Sequence, residues 1–215
     1  MGEMLTLNPV EVRVLGALIE KGITTPEYYP LSLNALVNAC NQRSNREPVM
    51  ELAEADVRTA LFDLEQMGLV RVLAEGRVSK FEHLVYGRLS LGRPEIAVLG
   101  LLLLRGPQTA AELRARAERM YAFDETAAVS AVLERMAARR GAEDAPAPLV
   151  VQMARQPGAR ESRWMHLLGG EVASTPGSAA AVSEARSDGG DRMAALEAAV
   201  RSLEERVRAL EEAGR

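Results

Sequence analysis

The sequence contains few of the side chains on which enzymes most often rely: one cysteine, Cys40, and two histidines, His83 and His166, in 215 residues. A single cysteine excludes an intramolecular disulfide and is typical of a reducing cytoplasm. Each histidine lacks a second histidine or a cysteine nearby, so we interpret both as packing residues. No glycine-rich phosphate loop and no Ser/His/Asp set is present. These residues predict a cytoplasmic, non-enzymatic protein without a metal or cofactor. The alternative is an enzyme whose catalytic groups are carboxylates alone.

Long apolar segments are also missing, and aromatic residues make up only 4% of the chain. The apolar run from Val98 to Leu104 is far shorter than the roughly 20 residues of a membrane-spanning helix. Residues 1–9 lack a basic segment followed by an apolar one, so they do not predict a signal peptide. We therefore expect no membrane contact, and a core built from Leu, Val, Ile, Ala and Met.

A large excess of positive charge is absent as well, since the net charge is −4. Residues 1–92 carry 9 Lys and Arg against 12 Asp and Glu, a net of −3. Residues 93–169 carry 11 against 9, a net of +2, and residues 170–215 carry 6 against 9, a net of −3. A strong nucleic-acid binder usually has a larger local excess of basic residues. Any nucleic-acid hypothesis therefore depends on the middle segment.

An internal repeat organises the chain, and repeats decide the architecture of a fold before other patterns do. The segment from Pro9 to Gly22 recurs from Arg93 to Gly106, with Glu, Val, Leu and two Gly residues in register. A second similarity, at nearly the same offset, relates residues 79–85 to residues 162–168. Similarities in the same order indicate a duplicated unit of roughly 75–85 residues.

Each unit has the pattern of three helices followed by a hairpin. In the first copy, Asn8 and Pro9 predict a helix start and Gly22 its end. A second helix follows Pro30, and a third ends at Gly68. The first strand, the turn and the returning strand are expected at residues 69–73, 74–77 and 78–85. Three helices and a two-stranded wing are the winged form of helix-turn-helix.

The second copy repeats this pattern. Its helices are predicted over Pro94–Arg105, Thr109–Tyr121 and Asp124–Arg140, and its strands over Leu149–Ala154 and Glu161–Leu168, with Pro157 and Gly158 in the turn. The sequence therefore predicts a mainly α, α+β protein with two tandem winged-helix domains, residues 1–90 and 91–169.

The C-terminal part of the chain has a different composition. Residues 170–190 are rich in Gly, Ser and Ala and are interpreted as a flexible linker. Over residues 191–213 apolar residues alternate spacings of three and four, with Met or Val at one seam position and Leu at the other. This heptad pattern favours a parallel two-stranded coiled coil, and hence a homodimer through the C-terminal helix. The alternative is one amphipathic helix that folds back onto the protein.

Several strings make the chain similar to a known family. Residues 24–34, TTPEYYPLSLN, and residues 39–50, ACNQRSNREPVM, resemble the YceH-like family of bacterial proteins of unknown function. The strings LLLLRG (residues 101–106), RMYAF (119–123) and RESRWMH (160–166) add to the resemblance, which covers about residues 5–173. It implies a pair of winged helices and no established activity. One departure is Ala53, where such proteins often have Ser, and it puts the start of the third helix in doubt.

Two groups of arginines are candidates for contact with nucleic acid. The loop from Asn41 to Pro48 joins the second and third helices, where Arg43 and Arg46 could reach phosphates. The second hairpin carries Arg155, Arg160 and Arg163 around its turn. The alternative for the loop is a structural role with Arg–Glu pairs, and for the hairpin a solvated arginine-rich surface.

Two functions follow, and they belong to different classes. In one, the protein binds DNA in the manner of a transcription regulator, through the five arginines just named. In the other, the winged helices are protein-interaction modules with a protein partner. The third helix of the first unit is acidic, which favours the second function because acidic side chains repel phosphates. The basic second hairpin favours the first function, towards which the fold analogy also points.

Overall fold

The computed structural model describes residues 5–74, 78–139 and 147–170, which belong to one compact unit. The helices in these ranges are α1 (Pro9–Thr24), α2 (Leu33–Cys40), α3 (Glu54–Gln66), α4 (Val85–Arg88), α5 (Arg93–Arg105), α6 (Ala110–Ala117) and α7 (Thr126–Ala137). The strands are β1 (Leu31–Ser32), β2 (Val70–Leu73), β3 (Lys80–His83), β4 (Val150–Gln152) and β5 (Trp164–His166). The linker and coiled coil expected over residues 170–190 and 191–213 lie, apart from Gly170, outside the described residues.

The first half of the unit places three helices beside a small antiparallel sheet. Helices α1, α2 and α3 pack against one another, and β3 lies between β1 and β2. Leu31 of β1 pairs with Phe81 of β3, and Val70 of β2 pairs with His83. The arrangement is winged-helix-like and confirms the predicted α+β, mainly α fold class.

The second half repeats this arrangement with shorter strands. Val150 of β4 pairs with His166 of β5, just as Val70 pairs with His83 in the first half. Gln108 forms a single bridge to Trp164 in the place where β1 pairs with Phe81. The similarity between residues 79–85 and 162–168 thus has a structural counterpart.

The two repeated glutamates start the first helix of each half in the same way. The backbone N–H of Asn8 donates to a Glu11 carboxylate oxygen at 2.8 Å, and the N–H of Gly92 donates to Glu95 at 2.6 Å. Asn8 also accepts hydrogen bonds from the backbone of Val10 and Glu11. A carboxylate at the third helical position satisfies a backbone donor that the helix itself leaves unpaired.

The repeated glycines, in contrast, have different roles. Gly106 ends α5 with φ +68°, a conformation that glycine adopts without strain. The prediction that Gly22 ends α1 is wrong, because the helix continues to Thr24. The hydroxyls of Thr24 and Thr25 donate to the carbonyls of Glu20 and Lys21 and so end the helix. A Cβ at Gly22 would lie 3.2 Å from the Tyr29 ring, so this glycine gives Tyr29 room.

The start of α3, which the sequence left in doubt, lies directly after Ala53, whereas α6, α7 and β3 are shorter than predicted. The N–H of Ala53 donates to the Asp56 carboxylate at 2.8 Å, which is one of the two hydrogen bonds of a capping box. The other, from the backbone to a serine hydroxyl, is missing because alanine has no side-chain acceptor. Helix α6 ends at Ala117, four residues early, and α7 covers Thr126–Ala137. Strand β3 ends at His83 and is followed by the short helix α4.

Helices α1 and α5 pack against each other and form the centre of the unit. All nine residues from Ile96 to Leu104 are buried, as expected for a helix enclosed on every side. The repeated glycines Gly16 and Gly100 lie at this contact: a Cβ on Gly16 would come within 3.0 Å of Leu104, and one on Gly100 within 2.8 Å of Cγ2 of Ile19. Glycine therefore sets the separation of the two helices.

Backbone hydrogen bonds also join the two halves. Ahead of α1, the N–H of Leu7 donates to the carbonyl of Leu168 at 2.6 Å, next to β5. On another side, the N–H of Glu47 donates to the carbonyl of Leu104 at 2.9 Å near the end of α5. The halves are thus held together by backbone contacts in addition to helix packing.

Replacement of Gly100 by Val should lower the free energy of unfolding by roughly 2 kcal/mol or more, because overpacking a close helix contact forces the neighbours apart. Chemical denaturation monitored by circular dichroism measures the change. Gly87→Val is the matched control, since a Cβ there meets no atom within 4 Å, and it should change stability by less than about 0.5 kcal/mol. Equal effects of the two substitutions would contradict this assignment.

Candidate nucleic-acid interface

The second hairpin presents two arginines on either side of its turn. The turn closes with the N–H of Ala159 donating to the carbonyl of Gln156 at 3.0 Å. Pro157 and Gly158 occupy its central positions, and the φ of +80° at Gly158 is typical of a type II turn. Arg155 and Arg160 are exposed, and neither has a hydrogen-bond or ion-pair partner among the described residues. Their charges are therefore available to an anion.

Arg163 lies in the stem of the same hairpin and has protein partners. Its guanidinium donates to the carbonyl of Pro107 at 2.7 Å and to the Glu112 carboxylate at 3.1 Å. Partial burial alone would raise the pKa of Glu112. The hydrogen bond from the Thr109 backbone and the charges of Arg163 and Arg116 have a larger opposite effect, so the pKa of Glu112 is lowered overall. Arg163 therefore fixes the hairpin to α6, and less of its charge is free than at Arg155.

Arg46 lies in the loop from Asn41 to Pro48 and is fully buried there. Its side chain is 0% exposed, and it forms an ion pair of 2.6 Å with Glu20 of α1. It also donates to the carbonyl of Ala39 at 3.0 Å and to the Gln42 side chain at 3.1 Å. These partners occupy the guanidinium, so the structure gives Arg46 a positioning role within the loop and leaves it out of reach of a phosphate.

The same loop is held at other points as well. The Asn41 side chain accepts from the N–H of Leu52 at 2.8 Å and donates to its carbonyl at 2.9 Å, which closes the loop like a backbone pair. Arg13 of α1 donates to the carbonyls of Cys40 and Pro48. Burial, and then the charge of Arg46, lowers the pKa of Arg13. The loop is thus held by side-chain hydrogen bonds at several points along its length.

Arg43 differs from Arg46, the other arginine of this loop, because it is exposed and has no polar partner among the described residues. It lines a groove of about 710 Å³ between the two halves. Basic residues from both halves line this groove together with Arg43: Lys21, Arg116 and Arg119. These residues lie far apart in the sequence, and the packing of α1 against α5 brings them to one groove. The groove therefore could not be predicted from the sequence.

Helix α3 has the opposite charge. Its exposed residues include Glu54, Asp56 and Glu65, and its one basic residue, Arg58, is paired with Glu54 at 2.6 Å. Phe62 stands among them with 62% of its surface exposed. Helix α3 is the helix that enters the major groove in related folds, and its acidic residues oppose such an approach.

The cysteine and the histidines are enclosed by the fold. Burial raises the pKa of the Cys40 thiol to about 12, so the thiol is not a nucleophile at neutral pH. Burial also lowers the pKa of His83 and His166 to about 4, which keeps both rings neutral. Within the described ranges, no group of three His, Cys, Asp or Glu side chains is arranged to hold a metal. The helices of the described part are too short or too polar to cross a bilayer.

Comparison with known proteins places these features in a family. Residues 7–159 match the sequence profile described as "Protein of unknown function, DUF480". The chain is 54% identical over 201 residues to a UPF0502 protein of Koribacter versatilis, covering 93% of this chain and 91% of that protein. It is 50% identical over 208 residues to a UPF0502 protein of Pelobacter propionicus, covering 94% and 92%. It is also 52% identical over 168 residues to one of Geobacter sulfurreducens, covering 78% and 74%.

Arg46→Met should lower the free energy of unfolding by about 3–5 kcal/mol, because it leaves the Glu20 carboxylate without its buried partner. Thermal or chemical denaturation gives the change. Arg43→Met, three residues away and exposed, is the control and should alter stability by less than about 0.5 kcal/mol. A small loss for Arg46→Met, comparable with the control, would show that the guanidinium does not hold the loop.

Proposed function

This chain belongs to the DUF480 family of proteins of unknown function, and we propose that it is a non-enzymatic, cytoplasmic, regulator-like protein that binds DNA. The observation that carries the proposal is the second hairpin, where Arg155 and Arg160 project on either side of a tight turn without protein partners in the described residues. A hairpin of this kind is the wing of a winged helix, and arginines on it suit the phosphates of a duplex.

The proposed contact is to the backbone of DNA rather than to its bases. Helix α3 carries exposed carboxylates, which repel the phosphates of DNA. Helix α7, its counterpart in the second half, exposes Ala127 and Ala131 together with Glu134 and Arg135. Alanine offers no hydrogen bond to a base edge, and Arg135 lies 3.6 Å from the Glu95 carboxylate, so this face has few side chains free for direct readout. We therefore propose binding with little sequence preference, because phosphate contacts position a protein without specifying sequence.

The non-enzymatic part of the proposal rests on where the reactive side chains lie. Cys40 and His166 are almost fully buried, and the pKa directions given above keep one protonated and the other neutral at pH 7. His83 is partly enclosed between the rings of Tyr29 and Tyr86. Side chains in such places pack the core and have little access to a substrate.

A second candidate function is supported by a different observation. Phe62 is exposed on α3 among acidic residues, and an exposed aromatic side chain is a common anchor for a protein partner. A partner with basic residues around an apolar pocket would fit this surface. DNA binding and a protein partner use opposite halves of the unit, so each can be tested by substitutions that leave the other surface intact.

The proposal also includes a homodimer through residues 191–213, which rests on the heptad pattern of the sequence alone. Two chains would place two second hairpins on one duplex and so raise the affinity through bivalent binding. The molar mass of the full-length chain in light scattering, compared with a chain that ends at residue 189, decides the oligomeric state.

Binding of a labelled duplex should weaken with salt, and the double substitution Arg155→Ala with Arg160→Ala should flatten the log–log slope by about 1.8, because each phosphate contact contributes about 0.9. Fluorescence anisotropy at several salt concentrations measures the slope. The matched control removes Arg58 and Arg71, two exposed arginines of the first half that are each paired with a glutamate.

The control variant should keep the slope of the unmodified protein. Equal slopes for all three proteins would remove the hairpin from the interface. Absence of binding by the unmodified protein at low salt would reject DNA binding and leave the Phe62 surface as the stronger candidate.

A further inference from the structure

The groove between the two halves combines basic side chains with an apolar floor. The first half contributes Lys21 at the end of α1 and Arg43 from the loop. The second half contributes Arg116 and Arg119, which belong to α6 and the residues that follow it. Met120 supplies apolar surface in the same groove, which the almost fully buried Leu101 and Leu104 also line.

Most of the positive charge in the groove is not neutralised by protein carboxylates. Glu20 also lines the groove, but the buried Arg46 is its partner at 2.6 Å, and Lys21 lies further away at 3.6 Å. Glu118 is the other acid in the lining. Arg43 and Arg119 have no hydrogen-bond or ion-pair partner among the described residues. The cations of the groove therefore outnumber its free acids.

Further positive charge lies directly behind the groove. Arg105 donates to the Asn45 side chain at 2.8 Å and so links α5 to the loop. Burial lowers the pKa of Arg105, and the charge of Arg116 adds to this. Arg116 itself is oriented by the buried Gln108, whose side-chain amide oxygen accepts a hydrogen bond from it at 2.7 Å. Cations held close together in this way gain stability when an anion binds between them.

We propose that this groove binds a free phosphorylated small molecule of nucleotide size, with its phosphoryl groups between Arg43, Arg116 and Arg119. Arginine suits this task because its planar guanidinium pairs with phosphate oxygens through two parallel hydrogen bonds. The rest of the molecule would lie on the apolar floor, where Gln42 and Asn45 offer hydrogen bonds at the rim. This inference goes beyond the proposed function, because it uses neither Arg155 nor Arg160.

The shape of the groove favours a small molecule over a nucleic-acid strand, although both carry the same phosphate chemistry. A volume of about 710 Å³ lies within the range of small-molecule sites, which is roughly 300–1,000 Å³. The cations converge on one recess from both halves, whereas a strand is usually bound along an extended groove with stacked aromatic side chains. Within the described ranges, no aromatic side chain lines this groove.

A ligand in this groove would contact both halves of the unit. Because it binds only the folded arrangement of α1, the loop and α6, it should raise the thermal stability of the protein according to its concentration. A bound phosphorylated molecule would thereby stabilise the contact between the two halves.

Isothermal titration and thermal shift with pyrophosphate and with ADP test the proposal, with sodium chloride used to match the ionic strength. The unmodified protein should bind at least one of the two saturably. Arg43→Ala and Arg119→Ala should each weaken that binding by about tenfold or more, because each removes a charged hydrogen bond to a phosphate oxygen. Glu118→Gln should strengthen it, a change that loss of structure could not produce. The double substitution at Arg155 and Arg160 is the control and should leave it unchanged.

Both arginines are exposed, so the variants should melt like the unmodified protein when no ligand is present, which checks their folding. A single-stranded DNA hexamer forms a separate arm of the experiment. Saturable binding of the hexamer without binding of pyrophosphate or ADP would overturn the proposal and assign the groove to a nucleic-acid strand. Absence of saturable binding of both small molecules, or unchanged affinity in Arg43→Ala and Arg119→Ala, would overturn it as well.

Discussion

The close packing of α1 against α5, made possible by Gly16 and Gly100, is the contact on which the rest of the structure depends. Each half supplies its first helix to this contact, and the two glycines occupy the same place in the repeat. The contact turns two similar halves into one unit with a shared core. It also brings the loop after α2 against the end of α5, where Glu47 and Asn45 bond to Leu104 and Arg105.

The two halves share an architecture but differ in surface charge: the first half has an excess of acidic residues and the second an excess of basic residues. The first half exposes carboxylates on α3, and the second exposes arginines on its hairpin and on α6. The repeated elements that stay alike are those that the fold needs: the capping glutamates, the paired histidine positions and the central glycines. The surfaces differ because exposed side chains contribute little to folding and can change without loss of stability.

The sequence predicted those features that local patterns encode. The helix cap at Asn8, the turn at Pro157 and Gly158, and the alternation of helices and hairpin all depend on residues close together in the chain. The end of α1 was misplaced, because Gly22 serves a contact with Tyr29 that sequence spacing does not show. Arg46 was predicted to face phosphates, but it is buried and paired with Glu20, which is 26 residues away. The groove needs residues from both halves, and no local pattern indicates such a convergence.

The central claim is that nucleic acid meets this protein at the second hairpin while α3 stays clear of it. Amide chemical-shift mapping by NMR, with an isotope-labelled protein and a short duplex at low salt, tests this claim most directly. The account predicts the largest shifts at residues 154–160, around the turn of the second hairpin, and unchanged signals along α3 from Glu54 to Gln66. Shifts concentrated on α3, or none at any duplex concentration, would contradict it.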